Sequence, residues 1–71
     1  MNNKRKGYVS LIDIEQGHGI IIDENGQDIH FFLSTTSDHM ITNSKVNFEI
    51  ELSTKGLTAV NVELEIDMVR V

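Results

Sequence analysis

Strict alternation of apolar and polar side chains through the second half of this chain constrains its fold more than any other feature. Val46, Phe48, Ile50 and Leu52 alternate with Asn47, Glu49 and Glu51, and Val60, Val62, Leu64, Ile66 and Met68 alternate with Asn61, Glu63, Glu65 and Asp67. A period of two belongs to a β-strand with one buried face and one wet face. Helical periodicity is absent almost everywhere. The six Val and nine Ile supply β-branched side chains that favour strands. Between the two runs, Ser53-Thr54-Lys55-Gly56 supplies a turn, with Gly56 free to take positive φ.

Three further strands are predicted earlier, over Gly7 to Ile14, His18 to Asp23 and Asp28 to Leu33. Glu15-Gln16-Gly17 turns the first into the second, and Glu24-Asn25-Gly26 the second into the third. Ser34 to Ser44 is rich in Ser, Thr, Asn and Asp and reads as a loop with one short helical turn. Five short strands with one long connection after the third suit an all-β, closed, antiparallel five-stranded barrel. The 71 residues hold one domain, expected over residues 7–71, behind a flexible basic tail at residues 1–6. A core of this size is marginal, so a closed barrel or a dimer is expected.

The second hairpin decides which side chains share a face. A two-residue turn at Asn25-Gly26 sets Ile20 opposite Phe31. A three-residue loop with Gly26 left-handed sets Ile20 opposite His30 and His18 opposite Phe32. The second register leaves Gly19, Ile21, Ile29 and Phe31 together on a wholly apolar face. That makes the better core, and a one-residue slip would exchange the faces.

Composition narrows the function. With no Cys, neither disulfides nor a thiolate zinc site holds the chain together. The formal charge of −5 argues against gripping duplex DNA through a broad basic face. Three of the six basic residues, Lys4, Arg5 and Lys6, crowd the N-terminus. No apolar run approaches the roughly 18–20 residues of a membrane span, and the opening Met-Asn-Asn-Lys-Arg-Lys lacks the apolar core of a signal peptide. No membrane association and a cytoplasmic location are expected.

Several segments in order resemble the cold-shock domain, the five-stranded oligonucleotide/oligosaccharide-binding (OB) barrel of small bacterial cold-shock proteins. The family's opening G-x-V-K-W-F-N is similar to Gly7-Tyr8-Val9-Ser10-Leu11-Ile12-Asp13. Its K-G-F-G-F-I corresponds to Gln16-Gly17-His18-Gly19-Ile20-Ile21, and its D-V-F-V-H-F-S to Asp28-Ile29-His30-Phe31-Phe32-Leu33-Ser34. The fourth strand and the K-G-P-x-A-x-N-V ending resemble Val46 to Glu51 and Lys55 to Val62. The resemblance spans about residues 7–65. It implies the OB fold and a platform of aromatic side chains on which single-stranded bases stack.

The platform is altered here. Leu11 stands where the family has Trp, His18 and Ile20 where the first motif has two Phe, and His30 and Phe32 where the second has Phe and His. Two family lysines beside it are Ser10 and Gln16. The loop after strand three is several residues shorter, with His39 or Met40 nearest the family's aromatic there. The resemblance thus implies single-stranded RNA or DNA as partner, held by Leu11, His18, Ile20, His30 and Phe32, with Lys55 toward phosphate. The alternative is that the exposed apolar face serves a protein partner or a homodimer. A metal held by His18 and His30, with Asp38 or His39 as a third ligand, is disfavoured, because no pair sits at a recognised ligand spacing. The chain also lacks a nucleophile elbow around Ser34, so an enzyme is not expected. No cofactor is expected either.

Overall fold

A computed structural model describes residues 4–35, 40–54 and 56–65. The strands are β1 (Arg5–Asp13), β2 (His18–Asp23), β3 (Asp28–Phe32), β4 (Lys45–Ser53) and β5 (Gly56–Leu64), with a single 3-10 turn at Leu33–Thr35. They close into a barrel in the order β1-β2-β3-β5-β4. This is the expected five-stranded OB barrel, with one correction. The β3–β5 pair is parallel, while the other four pairs are antiparallel. The reason is topological: directions cannot alternate all the way round a ring with an odd number of members.

The β2–β3 turn has the expected three-residue form. His18 faces Phe32, Ile20 faces His30 and Ile21 faces Ile29. Gly26 is left-handed at φ 79°, a conformation that costs glycine little. Asp23 fastens the loop from inside. Its side chain is buried, and Oδ1 accepts the backbone N–H groups of Asn25 at 2.8 Å and Gln27 at 2.9 Å. The Arg5 guanidinium lies 3.9 Å from Oδ2 and balances the carboxylate.

Val9, Ile21, Ile29, Phe31, Val46, Phe48, Ala59 and Val62 fill the interior. Ile12, Leu33, Met40, Ile50 and Leu64 pack against them. Two bulges shift the alternation. In β1, Val9 pairs with Ile21 but Leu11 pairs with Ile20, so Ser10 is an extra residue. In β5, Asn47 pairs with Glu63 but Glu49 pairs with Val60, so Asn61 and Val62 both oppose Phe48. Asn61 is left-handed at φ 53° and its amide donates to Glu49 Oε1 at 2.6 Å. The continuous alternation expected from Val60 onward is therefore corrected: Ala59 and Val62 enter the core, whereas Val60 is only half-buried. Leu52, expected on the buried face, is 77% exposed because it lies near the end of β4, opposite Leu57, which is also exposed. Ile66 and Met68 lie outside the described residues.

β1 begins earlier than expected. Arg5 and Lys6, assigned from sequence to a flexible tail, pair with Phe48 and Asn47 of β4.

Gly19 shows how tightly the two faces are joined. A Cβ there would sit 2.5 Å from the Leu11 carbonyl oxygen and 2.7 Å from the Phe31 ring. Gly19→Ala should destabilise the fold by about 1–3 kcal/mol through overpacking, lowering the melting temperature by roughly 4–8 °C per kcal/mol. An unchanged melting curve would contradict this packing.

Candidate nucleic-acid interface

The register of β1, β2 and β3 lays out three rows on the barrel's outer face. Asp13, His18 and Phe32 form one row, Leu11, Ile20 and His30 the next, and Tyr8, Ile22 and Asp28 the third. Along a strand, side chains of one face recur every second residue, so neighbouring rows lie about 6.6 Å apart. The buried residues between them, Gly19, Ile21, Ile29 and Phe31, face inward, and alternation turns the rows outward.

Five of the six residues singled out from sequence come together here. Leu11 and Phe32 are each 44% exposed, His30 is exposed, and His18 and Ile20 are half-buried. The His18 and His30 rings are diagonal neighbours, with centroids 5.6 Å apart and planes tilted by 31°. His18 Nδ1 is buried with no hydrogen-bond partner among the described residues. The sixth, Lys55, lies outside the described residues, as do His39 and Asp38. Met40 is half-buried against the core. Among the described residues, no group of three or more His, Asp or Glu is placed to hold a metal.

Sequence reasoning missed Tyr8 and Ile22. Unbroken alternation outward from Leu11 puts Val9 on Leu11's face and Tyr8 inside; the bulge at Ser10 reverses both. Val9 is fully buried and Tyr8 is 43% exposed. The signal was available in the spacing of Val9 and Ile12. Both reach the core across three residues, which requires one extra residue between them.

Charge is sparse on this face. Its three rows contain no Lys or Arg, and Asp13 and Asp28 occupy two corners. The N-terminal cations have carboxylate neighbours: Lys4 with Glu63 at 3.3 Å, Arg5 with Asp23 at 3.9 Å and Lys6 with Glu65 at 3.8 Å. The face offers rings and apolar side chains rather than a phosphate clamp.

Comparison with known proteins agrees with this architecture. The 'Cold-shock' DNA-binding domain family matches residues 5–65. The chain is 43% identical over 67 residues to Cold shock-like protein CspG of Shewanella violacea, covering 87% of this chain and 96% of that protein. Its fold is similar to that of the structure described as drosophila Unr CSD456, with a TM-score of 0.72 and 19% identity. That likeness covers 94% of this chain but only 29% of the longer one. The chain belongs to the 'cold-shock' DNA-binding domain family, whose members are nucleic-acid-binding domains. Among the described residues, no helix is long and apolar enough to cross a membrane.

Proposed function

We propose that this protein binds single-stranded RNA or DNA weakly and with little sequence preference. Bases stack on His18, His30 and Phe32 and make apolar contact with Leu11 and Ile20. The observation that carries this reading is the placement of all five side chains in two adjacent outward rows. Family membership supports the class of ligand. Stacking tolerates any base because every base has a π-face.

The magnitude follows from the number of rings. Each stacked base contributes about 1–3 kcal/mol, and association costs about 4–15 kcal/mol in lost freedom of motion. Three rings therefore give micromolar or weaker binding. A protein of this kind acts in the cytoplasm by keeping RNA unpaired or by tuning gene expression, roles that need rapid release rather than tight grip. Lys55, which the family resemblance sets toward phosphate, is the candidate phosphate contact.

Fluorescence anisotropy of a labelled single-stranded heptamer tests the reading. His30→Ala and Phe32→Ala should each weaken binding by about fivefold or more, the low end of one stack. For a strand confined to the platform, with one phosphate contact at Lys55 or none, the slope of log K against log salt should be about −0.7 or shallower. Full affinity in both variants would contradict the platform. Self-association that Ile20→Asp abolishes, without any response to oligonucleotide, would replace it with a homodimer or protein-interaction module.

A further inference from the structure

The third row carries a feature with no counterpart in the platform just proposed. Tyr8 and Ile22 are cross-strand partners on the same outer face as Leu11 and Ile20. The Tyr8 ring is 43% exposed, and Ile22 is half-buried beside it. On its other side Tyr8 pairs with Lys45 of β4. An open cleft of about 700 Å³ lies here, lined in part by Lys6, Tyr8, Ile22, Asn43, Lys45 and Glu65. We propose that Tyr8 and Ile22 form an additional base subsite, which extends the platform by one nucleotide, with Lys45 holding the adjoining phosphate. The proposal rests on the single-strand-binding reading above and adds a site to it.

Three observations support one more nucleotide as the occupant. First, the row is continuous with the platform: Ile22 follows Ile20 at the two-residue spacing that separates Ile20 from His18, so a strand crossing the other rows reaches this one without leaving the sheet. Second, an exposed phenol beside an aliphatic side chain offers a flat apolar surface of the kind a base covers. Third, charge is asymmetric about the row. Lys6 and Lys45 lie on the β1–β4 side, whereas Glu24 and Asp28 belong to the end of the β2–β3 hairpin. Lys6 is already beside Glu65 at 3.8 Å; Lys45 is exposed and has no ion pair among the described residues. A sugar-phosphate backbone is thereby drawn to the β4 edge, with its base laid across Tyr8 and Ile22.

The bulge at Ser10 makes this subsite. Without it, Tyr8 would point into the barrel and Val9 would stand outside.

The chain has one Tyr and no Trp, so its ultraviolet emission reports Tyr8 alone. A single-stranded octathymidylate should quench that emission, corrected for absorbance, over the same concentration range in which it moves the imidazole proton signals of His18 and His30. Tyr8→Ala should weaken octamer binding by about fivefold or more, and Tyr8→Phe should retain it. Lys45→Ala should flatten the salt dependence by about 0.7 in log–log slope. Imidazole shifts with unchanged emission, and an octamer affinity that Tyr8→Ala leaves intact, would overturn the subsite while the platform stands. An octamer that moves neither signal would overturn both. Because the quenching is read on the unaltered chain, a poorly folded Tyr8→Ala would not spare the proposal.

Discussion

The register of β2 against β3 is the constraint on which the rest of this structure depends. Both strands alternate, so a slip of one residue would send His30 and Phe32 inward and leave Phe31 outside. Asp23 and Gly26 set the register together. Gly26 supplies the left-handed residue that a three-residue loop needs, and the Asp23 carboxylate accepts the N–H groups of Asn25 at its middle and of Gln27 just after it. The correct register then sets Gly19 against Phe31, where only a hydrogen in place of a side chain leaves room for the ring. Core and outer face are two sides of one pairing.

Much of this was legible in the sequence because two strands obey a simple period. The apolar set Ile21, Ile29 and Phe31 selects the register, and that register brings His18, Ile20, His30 and Phe32 to one face. The family likeness was legible through its ordered motifs, and the family match and the relative agree with it. What alternation could not reveal lies at the bulges. Ser10 and the Asn61–Val62 pair each shift the phase by one residue, which hid Tyr8 on the outer face and exchanged Ala59 for Val60 in the core. Leu52 was misplaced for a different reason. A hydrophobic period records which way a side chain faces, not whether the barrel still covers it there.

Charge and stacking divide the work unevenly. The acidic chain cannot draw nucleic acid through a broad positive field, and its outer rows hold two carboxylates and no cation among the described residues. Exposed ion pairs such as Lys4–Glu63 and Lys6–Glu65 contribute little to stability, typically about 0–1 kcal/mol. They nevertheless hold these cations near carboxylates at the edge of the barrel. The binding proposed above depends on a few rings whose orientation is fixed by the core beneath them, and is therefore expected to be weak, tolerant of sequence and only slightly sensitive to salt.

Intermolecular nuclear Overhauser effects between the protein and a bound single strand test the central claim most directly. In a complex with a short oligonucleotide, the ring protons of His18, His30 and Phe32 should show cross-peaks to base and sugar protons. Protons of Ile21, Ile29 and Phe31 should show none. Cross-peaks confined to other strands, with the three outward rings silent at saturation, would contradict the account.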